Sequence, residues 1–292
     1  MVIAVLAALA AGCTFAVGAV LQQSAAREAP SDQALSIRLL WHLAHRPKWL
    51  MGIGSDVGSF ALQALALAFG PIALVQPLLV TGVLFAIPIA VRLRGQRLHA
   101  QEWTGTLAVA GGLVLFLAAA SPAAGEPQTS LTRWMFILIA VGGLMVVGIV
   151  IGQALQGPAR ASLFALSAGA AFGLLAALTK TSTWLLGQGA GTFFTAWQPY
   201  TMALVAVAGA IVQQSAFQAA PLPASLPVMD AVEPTVAVLI GVVAFGETLA
   251  GTPGALASEA AGIVALIVGI VLLDRSPVVL ALQRSGDPSA SN

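Results

Sequence analysis

Charged side chains are scarce in this chain of 292 residues, of which only 8% are Asp, Glu, Lys or Arg while 59% are hydrophobic. Soluble domains carry about 25% charged residues. A water-soluble globule of this composition is therefore excluded, and lipid must be the solvent. The single cysteine, Cys13, excludes an intramolecular disulfide. The net charge of +1 gives no reason to expect a nucleic acid partner.

Enzyme signatures are missing as well. The sequence contains no Cys and His cluster with metal-ligand spacing, no nucleophile elbow and no phosphate-binding loop of the Walker type. Residues 187–191, Gly-Gln-Gly-Ala-Gly, are interpreted as a flexible loop between two spans and not as a nucleotide site. We therefore expect neither an enzyme nor a cofactor, and any transport must run on a gradient.

Apolar runs of membrane-spanning length are what the chain has in abundance. A helix crosses a bilayer with about 20 apolar residues, and nine runs meet that requirement. The sequence thus predicts an all-α polytopic membrane protein with nine transmembrane helices. The predicted spans 1 to 9 are 2–22, 49–69, 71–91, 102–120, 133–152, 160–180, 196–218, 222–245 and 255–273.

The basic residues predict how these spans are oriented. With nine spans, ten Lys and Arg residues fall on one side of the membrane and two, Arg133 and Lys180, fall on the other. Cytoplasmic loops carry the excess of basic residues. We expect a multi-pass inner-membrane protein whose N-terminus is outside and whose C-terminus is cytoplasmic.

Spans 1–4 and 6–9 are written in the same pattern, about 157 residues apart. The matching pairs are Gly12 and Gly169, Phe15 and Phe172, Gln76 and Glu233, Pro77 and Pro234, Glu102 and Glu259, Gly105 and Gly262, and Gly112 and Gly269. The offset of five spans is odd, so the two halves insert in opposite directions as an inverted repeat, and span 5 is the extra crossing. This is the build of a secondary transporter whose substrate site lies near the bilayer midplane.

The repeat divides the chain into four parts. Residues 1–120 form the first repeat, 121–158 a linker loop with span 5, 159–275 the second repeat, and 276–292 a cytoplasmic tail.

The segment at about 31–46 joins the first two spans and is expected to contain an interfacial helix, capped by Ser31 or Asp32. Leucines that recur at helical spacing are expected on the inner membrane surface, with basic neighbours toward anionic headgroups. These leucines are Leu35, Leu39 and Leu43. His42 and His45 are interpreted as a wet interfacial pair and not as metal ligands.

Three carboxylates fall inside predicted spans: Asp56, Asp230 and Glu233. A carboxylate at the bilayer centre costs about 2.5–3.5 kcal/mol on insertion scales, so each calls for a partner or a purpose. Together they could hold a divalent cation such as Mg²⁺, which prefers oxygen ligands. Alternatively, Glu233 or Asp56 takes up a proton and couples transport to the proton gradient. A purely structural role stays open for each of the three.

Glutamine supplies the neutral polar groups of the predicted spans. Gln63, Gln76 and Gln214 are the preferred cavity-lining residues, because the repeat places them opposite one another. The candidate substrate-binding set is Asp56, Gln63, Gln76, Gln214, Asp230 and Glu233. The remaining intramembrane glutamines are expected mainly to join helices. These are Gln22, Gln213 and Gln218.

Four charged residues fall at predicted helix ends. Glu102 and Glu259 open spans 4 and 9, and Glu247 follows span 8, where capping or an interfacial position is expected. Lys180 ends span 6, where its side chain is expected to snorkel toward the membrane surface.

Residues 66–78, Ala-Leu-Ala-Phe-Gly-Pro-Ile-Ala-Leu-Val-Gln-Pro-Leu, resemble the second and third helices of the NIPA-type magnesium transporters, a branch of the drug/metabolite transporter superfamily. Glu233 and Pro234, followed by residues 245–249, Phe-Gly-Glu-Thr-Leu, resemble the terminal EamA repeat of the same superfamily. The resemblance implies a helical carrier that works by alternating access. The NIPA-type motif places a Glu, and an Asn three residues later, just before the first run. Here those positions hold Phe60 and Gln63, and the nearest carboxylate on that face is Asp56.

Three functions follow. The first is a gradient-driven secondary transporter of the drug/metabolite superfamily that moves a small organic solute or metabolite. The second is a NIPA-like magnesium or divalent-cation permease, and the third is a non-transporting membrane scaffold or subunit. Converging carboxylates would favour the cation, and a cavity lined by amides and aromatic rings would favour the organic solute. The expected partners are the substrate and the lipid bilayer, and a homodimer is left open.

Overall fold

Helices account for nearly all of the chain that the computed structural model describes, namely residues 2–69, 78, 82–93, 99–120, 128–246 and 252–275. These ranges contain no β-strand. The helices are α1 Val2–Arg27, α2 Ile37–Ala44, α3 Pro47–Phe69, α4 Gly82–Leu93, α5 Ala100–Ala120, α6 Leu131–Gln153, α7 Gly157–Gly187, α8 Ala190–Thr195, α9 Gln198–Ala219, α10 Leu222–Phe245 and α11 Pro253–Asp274.

Six helices of the described ranges are long and apolar enough to cross a bilayer. They are Val2–Arg27, Leu131–Gln153, Gly157–Gly187, Gln198–Ala219, Leu222–Phe245 and Pro253–Leu273. The prediction of an all-helical, multi-pass membrane protein is therefore confirmed. Helices α3 and α5 coincide with predicted spans 2 and 4, and α4 is the described part of span 3. The count of nine spans stays a prediction.

Helices α1 and α7 occupy the centre of the bundle. α1 packs along α3 and α4 and also contacts α9, whereas α7 packs along α6, α9 and α10. The inward faces of both central helices carry small residues, such as Ala16 and Ala19 in α1 and Ala165 and Ala168 in α7. Large apolar side chains, such as those of Ile139 in α6, point outward. Small residues let helix backbones approach closely in lipid, where burial of apolar groups gives no driving force.

Helices α5 and α11 cross through four glycines of the repeated pattern. A Cβ atom added at Gly112 would lie 2.7 Å from the carbonyl oxygen of Gly262, and one at Gly262 would lie 2.7 Å from that of Gly112. Gly105 and Gly269 meet in the same way, at 3.1 and 2.7 Å. Gly105 thus faces Gly269, although its counterpart in the repeat is Gly262, and Gly112 faces Gly262 instead of its counterpart Gly269. The two backbones touch at both points.

The two glutamates of the repeated pattern lie in different positions. Glu102 is buried near the start of α5, and its Oε2 accepts a hydrogen bond from the backbone N–H of His99 at 2.7 Å, as expected of a capping residue. Glu259 lies inside α11 and is also buried, so the prediction that it opens this helix was wrong. Thr252 begins the helix earlier, because its Oγ1 accepts from the N–H of Ala255 at 3.2 Å. Glu247 lies outside the described residues.

Helix α7 is longer than predicted. It continues to Gly187, so the prediction that Lys180 ends the span was wrong. Thr181, Ser182 and Leu185 are buried and continue the packed face past this lysine. The Nζ of Lys180 lies 4.5 Å from the ring centroid of Phe245, a cation–π contact.

The segment between α1 and α3 packs against the bundle. Leu39 and Leu43 are fully buried in the core, so the prediction that they lie on the membrane surface was wrong. A 3₁₀ turn, Ser31–Gln33, follows Pro30, and α2 begins only after Ser36. α2 contacts both α3 and α9, and these contacts bury its leucine face.

Loop residue Leu35 and the exposed face of α2 complete this segment. Leu35 adopts φ 56° in the left-handed region and donates its N–H to the Oγ of Ser215 at 2.9 Å. Trp41 and Ile37 occupy the exposed face of α2. His42 accepts from the guanidinium of Arg46 at 3.2 Å.

Substitution at the α5–α11 crossing should test the glycine contact. Gly112→Ala is expected to lower the stability by about 1–3 kcal/mol, because its new methyl group meets backbone atoms that cannot move aside cheaply. Gly111→Ala is the matched control, since a Cβ there meets nothing within 4 Å. Thermal unfolding in detergent, followed by tryptophan fluorescence, gives the comparison. Equal melting temperatures for the two variants would contradict the contact.

An ion pair joins the end of α1 to the start of α3. Lys48 Nζ lies 2.7 Å from Glu28 Oε1, and this hydrogen bond lowers the pKa of the Glu28 carboxyl from its ordinary value. A lowered carboxyl pKa stabilises the fold above the ordinary value near 4.5, and the gain is lost as the pH falls through the lowered pKa. Both side chains are about half exposed, so the pair contributes little.

We expect Glu28→Gln to cost at most about 0.5 kcal/mol at pH 7, and nothing once the pH lies below the lowered pKa of the carboxyl. Melting temperatures of both proteins between pH 7 and pH 3 measure the difference. A gap that widens as the pH falls would contradict this sign.

Candidate functional site

Asp56 lies near the middle of α3, on the face turned away from lipid. It is the tenth residue of this 23-residue helix. Exposed apolar side chains, including Leu50, Val57 and Phe60, mark the lipid-facing side of α3. Asp56 lies on the other side and faces α1, as does Ser59, which donates to the carbonyl of Ala11 at 2.8 Å. The carboxylate therefore points into the bundle.

Three side chains from three helices form a continuous hydrogen-bonded chain at this point. Gln22 of α1 donates from Nε2 to the Oδ2 of Asp56 at 2.6 Å. Gln214 of α9 donates from Nε2 to the Oε1 of Gln22 at 2.8 Å. Both glutamines are buried. We call these three residues the amide–carboxylate chain.

Two glycines allow this arrangement to form. Gly18 precedes Gln22 by one helical turn in α1, and Gly52 precedes Asp56 by one turn in α3. A Cβ at either glycine would lie 3.0 Å from the carbonyl oxygen of the other, so the two backbones touch here. A Cβ at Gly18 would also overlap the Oδ1 of Asp56, and one at Gly52 would lie 2.7 Å from Cγ of Gln22. The carboxylate and the amide thus occupy the space that absent side chains leave.

The chain ends in acceptors that have no donor. The Oδ1 of Asp56 and the Oε1 of Gln214 are buried and have no hydrogen-bond partner among the described residues. No Lys, Arg or His of the described ranges forms an ion pair with Asp56. A buried polar atom without a partner usually marks strain, function or an unseen ligand. Here both open positions require a donor.

Asp230 and Glu233 lie elsewhere, on α10. Leu239, Val242 and Val243 mark the lipid side of this helix, and the two carboxylates lie on the opposite face. Glu233 is at the middle of α10. Asp56 bonds to neither of them, since its Oδ2 accepts from Gln22 and its Oδ1 has no partner.

The backbone around Glu233 is held against α7. A Cβ at Gly169 would lie 3.2 Å from the Glu233 nitrogen, and one at Gly173 would lie 2.7 Å from its carbonyl oxygen. Gly169 is thus the close-contact position that the repeat pattern marks. Pro234 follows Glu233 and has no N–H, so the carbonyl of Asp230 lacks its helical donor.

Two predicted site residues remain, Gln63 and Gln76, and the structure describes the first of them. Gln63 lies two turns after Asp56 on the same face of α3 and is partly buried. Gln76 lies outside the described residues. No three His, Cys, Asp or Glu side chains of the described ranges come close enough to hold a metal ion. Asp56, Asp230 and Glu233 therefore do not form a three-ligand cluster there.

A second pair of amides joins α1 to α9 beside the chain. Gln23 and Gln218 each donate from Nε2 to two backbone carbonyls at the end of the other helix. The acceptors are Phe217 and Ala220 for Gln23, at 3.4 and 3.1 Å, and Ala29 and Pro30 for Gln218, at 3.0 and 2.9 Å. Carbonyls at helix ends lack intrahelical donors, so Gln23 satisfies carbonyls at the end of α9, whereas Gln218 binds the two residues that closely follow the end of α1. We call this pair the glutamine clamp.

Sequence reasoning identified two of the three members of the amide–carboxylate chain. Asp56 and Gln214 were candidate site residues, and the structure links them through Gln22, which was expected only to join helices. Gln23 was not singled out at all. The available signal was a glycine one turn before a polar residue in both α1 and α3, which marks a close crossing with polar groups beside it.

Gly18→Ala is expected to displace the Asp56 carboxylate and to lower stability by about 1–3 kcal/mol. The matched control is Gly54→Ala in α3, where a Cβ meets nothing within 4 Å. Adding Asp56→Ala to Gly18→Ala should cost less than the two single changes summed, because the overlapping oxygen is gone. Thermal unfolding of the four variants measures this coupling, and strict additivity would contradict the geometry.

Comparison with known proteins gives one clear relationship. Over 283 residues the chain is 32% identical to an uncharacterised protein of Corynebacterium glutamicum, and the match covers 96% of this chain and 97% of that relative. No family model matches the chain. No solved structure matches it either. The chain therefore belongs to the same protein family as this corynebacterial protein.

Proposed function

We propose that the protein is a secondary transporter that moves a small organic solute across the membrane by alternating access. The observation that carries the proposal is the amide–carboxylate chain. It places a carboxylate that pairs with no basic side chain of the described ranges inside a membrane bundle, where a charge is expensive unless it has a use. It also keeps two buried acceptors without donors. A substrate that brings donors would complete the site.

The position of the chain also supports transport. Asp56 and Gln22 belong to the first predicted half and Gln214 to the second, so the site lies between the halves. Substrate sites of transporters built from repeats lie at such interfaces, and in this protein Gln22 and Gln214 lie toward the ends of predicted spans 1 and 7 that the glutamine clamp joins. A helix carrying part of the site can then move with its own half.

Two sets of helix contacts support an inverted repeat. α1 packs on α3 and α4 as α7 packs on α9 and α10, and these are corresponding spans. The reciprocal contacts of Gly105 with Gly269 and of Gly112 with Gly262 are those that a two-fold axis between antiparallel helices produces. On the motifs described above, we also propose membership of the drug/metabolite transporter superfamily.

Glu233 is our candidate for coupling to the proton gradient. It lies at the centre of α10, on the face opposite lipid, beside the backbone position that Pro234 leaves without a donor. Glu233 forms no hydrogen bond with Asp56. One carboxylate can therefore bind the proton while the other binds the solute. Proton relays in transporters are built from such intramembrane carboxylates.

Flux through reconstituted protein tests the proposal. Proteoliposomes with an entrapped pH indicator and an imposed proton gradient are presented with a panel of cationic, neutral and anionic organic solutes. We expect solute-dependent proton movement for at least one class, reduced at least about tenfold by Asp56→Asn, as for loss of about 1.4 kcal/mol. Asp32→Asn is the matched control, since Asp32 is exposed outside the long helices. Glu233→Gln should abolish proton movement and retain solute exchange.

Parallel vesicles containing a Mg²⁺ indicator separate the alternatives. Mg²⁺ uptake that depends on Asp56 or Glu233, with no solute flux, would contradict the proposal in favour of a divalent-cation permease. Absence of any flux from well-folded, monodisperse protein would contradict both and favour a non-transporting membrane subunit.

A further inference from the structure

The open positions of the amide–carboxylate chain define the chemistry of the missing partner. Gln22 uses its Nε2 toward Asp56 and its Oε1 toward Gln214, so it links the other two residues. The atoms left over at the two ends, Oδ1 of Asp56 and Oε1 of Gln214, are both acceptors. A ligand that complements both ends must therefore donate hydrogen bonds.

The charge of Asp56 restricts the class of ligand further. Asp56 is the one ionisable member of the amide–carboxylate chain, and among the described residues its hydrogen-bond partner is the neutral amide of Gln22. The basic side chains of the described core are engaged elsewhere. Lys180 contacts Phe245, and Arg160 contacts Phe164 at 5.2 Å. Lys48 pairs with Glu28 outside the spans. Since no basic side chain of the described ranges pairs with Asp56, we expect the ligand to supply the positive charge.

The type of cation follows from the donors and the surroundings. Mg²⁺ requires near-octahedral coordination by oxygen, whereas this chain leaves two free oxygens on different helices, and the neighbouring Gly18 and Gly52 add no side-chain oxygen. A quaternary ammonium ion has no N–H and would leave both acceptors unsatisfied. A primary ammonium or a guanidinium group carries several N–H donors and forms charge-assisted hydrogen bonds with carboxylates.

We propose that Asp56, Gln22 and Gln214 bind a small organic cation that carries N–H donors, namely an amine or a guanidine. Asp56 neutralises the charge, Gln214 accepts a second N–H, and Gln22 holds both residues in position. This inference rests on the proposed function, whose substrate class it names.

Binding to the full-length protein in detergent tests the proposal without any flux measurement. The probes are n-butylammonium, agmatine, tetramethylammonium, 1-pentanol and Mg²⁺, each at constant ionic strength, with thermal unfolding as the readout, because a ligand of the folded state raises the melting temperature. We expect n-butylammonium and agmatine to raise it, and the other three to leave it unchanged.

Asp56→Asn should weaken agmatine binding at least about 30-fold, since it removes one partner of a buried charge pair. Gln214→Leu should weaken it about tenfold through loss of one acceptor, and Asp32→Asn should not change it. If Asp56→Asn does not fold, the proposal is still tested by the ligand selectivity of the wild-type protein and by the agmatine affinity of Gln214→Leu. Stronger binding of Mg²⁺ or tetramethylammonium, unchanged binding by Asp56→Asn, or no binding of either amine would overturn the proposal.

The flux experiment distinguishes this failure from failure of the proposed function. Amine binding that depends on Asp56, with no flux of any solute, would refute transport and keep the ligand class. Asp56-dependent flux of a neutral or anionic solute would keep transport and refute the ligand class.

Discussion

Contact between helix backbones at glycine is the constraint on which the rest of this structure depends. In lipid there is no gain from burying one apolar helix against another, so packing and polar contacts must hold the bundle together. The closest contacts occur at Gly18 with Gly52, at Gly112 with Gly262, and around Gly169. The 2.6 Å bond between Gln22 and Asp56 is possible only because α1 and α3 approach at Gly18 and Gly52.

The amide–carboxylate chain and the glutamine clamp lie on the same two helices. Gln22 and Gln23 are adjacent in α1, and Gln214 and Gln218 are one turn apart in α9. Any separation of α1 from α9 must break the Gln22–Gln214 bond and the clamp together. In the proposed binding mode, a ligand that bonds to both Asp56 and Gln214 joins α3 to α9, so its occupancy would favour the position in which these helices lie together. Coupling of this kind requires that the ligand bind the two positions with different free energies.

The sequence was sufficient to predict an all-helical membrane protein, because long apolar runs depend on local composition. Apolar runs marked the spans, whereas the repeated glycines indicated an internal repeat and did not show that α5 and α11 would touch at them. Side-chain partnerships were less accessible. Gln22 is one of several glutamines in apolar helices, and only the crossing at Gly18 places it against Asp56.

Errors arose where tertiary packing extended or redirected a local pattern. The buried face of α7 runs past Lys180 to Leu185, and the leucine face of α2 turns to the bundle because α3 and α9 offer an apolar surface there. Glu259 was misplaced because Thr252 caps α11 more than a turn earlier. In each case the position of the residue depended on contacts with neighbouring helices or on a capping residue, which the local sequence pattern does not show.

The two halves share their packing residues but differ in their chemistry. Gly12 corresponds to Gly169 and Gly112 to Gly269, and all four lie at helix contacts. Spans 2 and 7 match at an offset of 151 residues, as Gly58 and Gln63 match Gly209 and Gln214, so Asp56 corresponds to Val207, which is exposed on α9. Gln22 corresponds to Thr179 at the offset of 157, and Thr179 bonds to the carbonyl of Leu175 in its own helix. In the proposed inverted repeat, the packing glycines are therefore shared by both halves, whereas the amide–carboxylate chain is not repeated. Such a site can change its ligand through substitutions in one half, while the glycines that both halves need for packing stay in place.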